Sequence, residues 1–250
     1  MKQRGISQEG LKLIASTTML IDHLGATLVL AAFYAFVAAE KYSDADVWYY
    51  LYYGCRLIGR IAFPIYCFQL VEGFYRTRDL KKYTARLAVG MLLAEIPFDL
   101  ALNETLFDWS SNSVMITLLL GVLMMAGMES FKGYWKLLAI PPFYGIAEFL
   151  HTDYAGNGIL IIAMLYLTRG IPRENLWRTA CLAVLLWFGA TISVGSLEVP
   201  MEIFGLISLL PIFCYDGRKL TRSKAVQWGF YLFYPVHLLA LWILNLLIFG

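Results

Sequence analysis

The chain has 250 residues, 60% of them hydrophobic and only 15% charged, with a mean hydropathy of +0.64. A water-facing domain of this size carries more charge, which excludes a soluble globular protein. The net charge of +2, spread over short basic segments with no single patch, excludes a nucleic-acid partner.

Apolar blocks of roughly 17–25 residues, the length that crosses a ~30 Å hydrocarbon core, follow one another along the chain. They predict about nine spans, near 11–39, 50–75, 82–101, 113–129, 134–150, 156–169, 174–195, 199–215 and 226–248. Lys2 and Arg4 before the first block and Val37-Ala38-Ala39 after it read like a signal peptide. The block is about twice too long for one and carries Asp22 and His23 at its centre, so a retained first helix is expected. The sixth block is short and implies tilt or local thinning of the bilayer. Cys55, Cys67, Cys181 and Cys214 all fall in apolar segments, without metal or disulfide spacing.

The loops alternate in charge. Lys2, Arg4 and Lys12; Arg76 to Lys82; Lys132 and Lys136; Arg169, Arg173 and Arg178; and Arg218, Lys219, Arg222 and Lys224 form a basic set. Glu40 to Asp46, Asn103 to Asn112, His151 to Asn157 and Ser196 to Glu202 form an acidic or neutral set. Positive loops stay cytoplasmic, so the N-terminus is expected inside and the C-terminus outside. The fold expected is all-α, a polytopic transmembrane helix bundle forming one domain over residues 1–250, without the internal repeat that marks many secondary transporters.

Ionisable side chains within spans are costly, and each is a functional candidate. Asp22 and His23 lie midway along the first helix, and His237 lies midway along the last, at equal expected depth. Arg56 with Arg60, and Glu95 with Asp99, are i, i+4 pairs on neighbouring antiparallel helices. They predict a two-rung ion ladder, either a structural clamp or one that leaves an arginine free for an anionic or carbonyl group of a substrate. Glu72 sits near the cytoplasmic end of the second span. Glu148, His151 and Asp153 mark an external corner without a soft or well-spaced ligand set, so no metal is expected.

Several strings in fixed order carry a resemblance: Lys12 through Ile21-Asp22-His23, Gly59-Arg60-Ile61-Ala62-Phe63-Pro64-Ile65, Val71-Glu72-Gly73-Phe74, Glu95-Ile96-Pro97-Phe98-Asp99, Asp153-Tyr154 with Gly156, and Phe233-Tyr234-Pro235-Val236-His237-Leu238. Together, from about residue 10 to 245, they resemble the TraX family. The resemblance implies a bacterial integral-membrane acetyltransferase of the inner or plasma membrane. The family's namesake acetylates the N-terminal amine of conjugative pilin, and the family is similar to the wider class of membrane acyltransferases that use cytoplasmic acetyl-CoA. In that class a basic residue on the first helix precedes a critical histidine by ten intervening residues. Lys12 and His23 repeat this spacing, with lysine in place of the more usual arginine.

Eleven helical steps rise about 16.5 Å and return to nearly the same face, a length comparable to a pantetheine arm. The expectation is that Lys12 holds a CoA phosphate, with Arg76, Lys82 and Tyr234 as further donor contacts. His23 or His237 then acts as base, beside Asp22, on an amine or hydroxyl of an acceptor peptide or glycan. Arg60 or a helix dipole would stabilise the tetrahedral intermediate. The expected partners are the lipid bilayer, acetyl-CoA as donor substrate and that acceptor; self-association into a homo-oligomer is open. The competing expectation is a proton-coupled or small-solute transporter.

Overall fold

The computed structural model describes residues 5–187, 191–194, 197–221 and 223–250. Lys2, Arg4, Ser196 and Arg222 lie outside the described residues, as does the Lys224 side chain.

The first long helix comprises α1 (Gln8–Leu24), a π-helical turn (Gly25–Val29) and α2 (Leu30–Ala38). Ser7 caps it: its hydroxyl accepts from the Gly10 amide at 3.1 Å. A tight turn leads back into α3 (Tyr42–Gly59) and α4 (Ala62–Arg76). Asp79 caps α5 (Leu80–Phe98), which holds Pro97 and runs on into a π turn over Asp99–Asn103. There follow α6 (Val114–Glu129), a 3-10 segment (Gly133–Ala139) with α7 (Ile140–Phe149), α8 (Ala155–Leu167) and α9 (Glu174–Leu185). A second 3-10 segment (Met201–Ser208), α10 (Leu209–Phe213) and α11 (Lys224–Phe249) complete the chain.

Three of these helices, Gln8–Ala38, Tyr42–Arg76 and Ala225–Phe249, are long and apolar enough among the described residues to cross a membrane. Val114–Glu129, Ala155–Leu167 and Met201–Phe213 are shorter apolar helices. The two N-terminal helices exceed a bilayer: 31 and 35 residues rise about 46 and 52 Å. Their shared tip is an aromatic cluster, with Phe33 against Tyr49 and Phe36 against Trp48.

The expected span over 174–195 is corrected. Its helix stops at Leu185, and Thr191–Val194 (β1) pairs antiparallel with Leu197–Pro200 (β2), so among the described residues the fold is helical with one small hairpin. The β-branched Thr191, Ile192 and Val194 explain the change, since such residues favour a pleated backbone. The short sixth block has a different physical reason from tilt. Helix α8 is central, with Ile159, Ile161 and Ile162 wholly buried among α4, α6 and α7. A helix surrounded by protein has no lipid thickness to match.

Buried positions include Arg60, Glu72, Asp99, His23 and His237, while Leu13, Leu92, Phe149, Trp187 and Leu247 are exposed. Apolar outside and polar within suits a surface that meets lipid. Small residues bring α1 and α3 together: a Cβ on Gly25 would collide with Cys55, and one on Gly59 with Asp22. Gly59→Ala is expected to destabilise by about 1–3 kcal/mol and to push Asp22 off its arginine. Thermal unfolding in detergent reads this, and an unaltered midpoint contradicts the packing account.

The basic loops gather at one end. The Ile6 amide donates to the Cys214 carbonyl, Gln8 to Arg218, and Arg76 Nη1 to the Gly217 carbonyl. Glu72 joins the same end as a clamp, holding Arg76 at 2.9 Å through Oε2 and Arg169 at 2.9 Å through Oε1.

Candidate functional site

Adjacent residues on a helix point about 100° apart, so Asp22 and His23 serve different neighbours. Asp22 turns to α3, where its Oδ2 meets Arg56 Nη1 at 2.7 Å and its Oδ1 lies 3.6 Å from Arg60 Nη2. His23 turns to α11. Its Nδ1 lies 2.6 Å from His237 Nε2, with the two rings nearly parallel at 8°, and His237 Nδ1 lies 2.6 Å from the Phe233 carbonyl.

These two contacts assign the protons. The carbonyl only accepts, so His237 Nδ1 donates to it, and the neutral ring then accepts through Nε2. His23 Nδ1 must donate to that nitrogen, which leaves His23 Nε2 unprotonated. His23 is thereby the available base, and His237 is the residue that fixes its tautomer. The Thr27 hydroxyl, donating to the His23 carbonyl at 2.7 Å, accompanies the π turn that follows.

His23 lines a cavity with Asp22, Arg56, Arg60, Tyr66, Asp153 and Tyr154. Arg60 Nη1 donates to Glu202 at 2.9 Å and lies 3.4 Å from the Tyr154 hydroxyl. Tyr154 takes a left-handed backbone at φ 64°, unusual for a residue other than glycine, and stacks on Phe63 with centroids 3.8 Å apart. Asp22 Oδ1 and Glu202 Oε2 are buried acceptors without a hydrogen-bond donor.

A second cleft, at the basic end, is lined by Gln8, Lys12, Gln69, Tyr83, Leu87 and Phe230. Met19, Tyr66, Val114 and Tyr234 line both cavities and form their common wall. Lys12 Nζ sits over the Phe230 ring at 5.1 Å, and Lys219 is near enough to act on its charge. Tyr234 stands edge-on to both histidines.

Three expectations about placement are corrected. The ladder between Arg56/Arg60 and Glu95/Asp99 does not form. Both Glu95 oxygens accept from Ser113, one from its amide and one from its hydroxyl, at the start of α6, where a carboxylate is favoured by the free amides. Asp99 accepts from Asn103 and from the Asp108 amide, organising the loop that leads to α6. Arg76 does not line the Lys12 cleft, because Glu72 and the Gly217 carbonyl occupy its guanidinium. Lys82 is 79% exposed and pairs with Asp79 on the surface, outside that cleft. His151 is exposed in a left-handed turn, at φ 46°, away from the cavity lining, and Glu148 accepts from the Gly156 amide. Among the described residues no group of three or more His, Cys, Asp or Glu is placed to hold a metal ion.

The family model described as TraX protein matches residues 7–245. The chain belongs to the TraX family. Its residues are also 30% identical over 244 positions to the probable fimbrial assembly protein FimC, serogroup H1, of Dichelobacter nodosus, covering 91% of each chain. No solved structure matches it. With three long apolar helices and a lipid-compatible exterior, this TraX chain is a membrane protein.

Sequence reasoning missed Glu202, which it placed in an external loop, and Tyr66, whose hydroxyl lies 2.9 Å from that of Ser16 beside the cavity. Glu202 reaches Arg60 across 142 residues. No local spacing signals such a pair.

Proposed function

We propose that this TraX protein is a multi-pass integral-membrane acetyltransferase of the inner or plasma membrane with its N-terminus in the cytoplasm. Acetyl-CoA enters from the basic end and an amine acceptor from the other. The observation that carries the reading is the common wall of Met19, Tyr66, Val114 and Tyr234, where the Lys12 cleft abuts the His23 cavity.

Lys12 and Lys219 attract the CoA phosphates at the mouth, and the pantetheine arm lies along the apolar cleft. Over the eleven residues from Lys12 to His23 the helix rises about 16.5 Å, which brings the thioester to the imidazole. His23 Nε2 removes a proton as the acceptor nitrogen forms its bond to the acetyl carbonyl carbon. The oxyanion develops beside the Arg56 and Arg60 guanidiniums. Collapse breaks the carbon–sulfur bond, and the proton on His23 passes to the leaving thiolate as free CoA.

Asp22 Oδ1 and Glu202 Oε2, buried acceptors that no hydrogen bond satisfies, favour an amine over a hydroxyl, since a neutral primary amine brings two N–H donors and a hydroxyl only one. The likeness to a probable fimbrial assembly protein supports a fibre subunit as the acceptor, with its N-terminal amine as the nucleophile in this reading. Incubation of purified protein and acetyl-CoA with a free-amine peptide and with its N-terminally blocked, hydroxyl-bearing counterpart tests this by mass shift. Acetylation of the first alone is expected; acetylation of the second alone contradicts the amine assignment.

Lys12→Ala is expected to raise the apparent KM for acetyl-CoA about ten-fold, with a smaller change in kcat, because it removes a contact made equally in ground and transition states. Steady-state kinetics separate the two constants. An unchanged KM removes the phosphate role of Lys12.

A further inference from the structure

A third cavity lies at the basic end on the opposite face of α4, lined by Phe68, Glu72, Arg169, Arg178, Tyr215 and neighbouring residues. It shares no lining residue with the Lys12 cleft or the His23 cavity. Its carboxylates are already engaged. Glu72 holds Arg76 and Arg169, Glu174 accepts from the Gly170 amide and from Arg178, and Asp216 holds Arg218. Hydrogen bonding from Arg218 keeps the Asp216 carboxyl below its ordinary range, so it stays ionised and paired.

The donors are not all engaged. Arg178 is 6% exposed, yet its Nε has no hydrogen-bond partner, and its one contact with Glu174 runs through Nη1 at 3.4 Å. The Tyr215 hydroxyl is likewise buried and unpartnered. Arg169 bonds Glu72 through its Nε and lies over the Tyr75 ring at 4.3 Å, whereas Arg178, over the Phe68 ring at 5.4 Å, leaves its Nε without an acceptor. A guanidinium can only donate, so the missing partner is an acceptor. The lining carries Arg169 and Arg178 against Glu72, Glu174 and Asp216, and Arg76 and Arg218 pair with Glu72 and Asp216 from outside it, so the carboxylates are neutralised and the Arg178 Nε is left over. A buried donor left unpaired costs free energy that an incoming anionic oxygen recovers.

We propose that this cavity is a second ligand site that takes a phosphate oxyanion on Arg178 and Tyr215. The same chemistry is offered by free phosphate and by the headgroup of an anionic phospholipid, since basic pockets between helices at the cytoplasmic face suit such headgroups. The site stands independently of acetyl transfer.

The test uses the full-length protein, delipidated in neutral detergent, with two probes: inorganic phosphate against chloride at matched ionic strength, and phosphatidylglycerol against phosphatidylcholine in mixed micelles. Saturable binding of at least one anionic probe is expected, about ten-fold or more weaker in Arg178→Gln and several-fold weaker in Tyr215→Phe. Phosphate binding alone identifies a soluble ligand, and phosphatidylglycerol binding alone a lipid. Tyr215→Phe keeps the ring packed on Phe68 and reads the site even if the arginine variant does not fold. A wild type that binds neither probe, or binds one with the same affinity in Tyr215→Phe, overturns the proposal.

Discussion

Replacing His23 by alanine is expected to lower acetyl transfer about 10²–10⁴-fold, the range a positioned general base contributes. The protein should remain folded. His237 Nε2 would lose its donor, at about 1–3 kcal/mol for a buried unpaired acceptor, but the surrounding helices keep their apolar contacts. The companion variant, His237→Ala, keeps Nε2 of His23 in place and removes only the acceptor that fixes its tautomer. Its loss of rate should be smaller than that of His23→Ala. Rates measured on both variants, with gel filtration to certify folding, decide between the two histidines. A greater loss in His237→Ala would reverse the proton assignment built on the Phe233 carbonyl.

Removal of the Arg60 charge by Arg60→Met is expected to destabilise the protein by about 3–5 kcal/mol. The side chain is about 10% exposed and faces two carboxylates, Glu202 at 2.9 Å and Asp22 at 3.6 Å. Without it, Arg56 alone offsets both charges from within the bundle. The second substitution in Arg60→Met/Glu202→Gln removes one of the stranded charges and should restore part of the stability. Thermal unfolding in detergent measures both variants. A folded Arg60→Met protein with an unchanged midpoint and a lost rate would assign Arg60 to the reaction alone, not to the clamp.

Much of the helical layout was legible because lipid-compatible stretches are long and locally encoded. The first block, expected over 11–39, and the last, expected over 226–248, became helices close to those limits, at Gln8–Ala38 and Lys224–Phe249. The β-hairpin was not legible, because Thr191-Ile192-Ser193-Val194 is apolar enough to extend a span and only its pairing with 197–200 makes it a strand. At the site, His23 and His237 were expected at equal depth on the first and last helices, and they meet at 2.6 Å. The partners of Arg56 and Arg60 were misassigned for a physical reason. An i, i+4 spacing defines a shared face but not the helix that covers it, and α1 and the 3-10 segment at Met201–Ser208 took the place expected of α5. The exclusive use of Glu95 and Asp99 at the start of α6 and in its approach loop depends on a fold-level neighbour that no window reports.

The most direct test of the account is acetyl-CoA binding and free CoA release by purified, monodisperse protein in detergent, with wild type and His23→Ala side by side. Saturable binding by both, with slow CoA release that only wild type performs, is the predicted result. Absence of acetyl-CoA binding by folded wild-type protein would contradict the acetyltransferase reading and leave the buried Asp, His and Arg residues as parts of a proton or solute pathway.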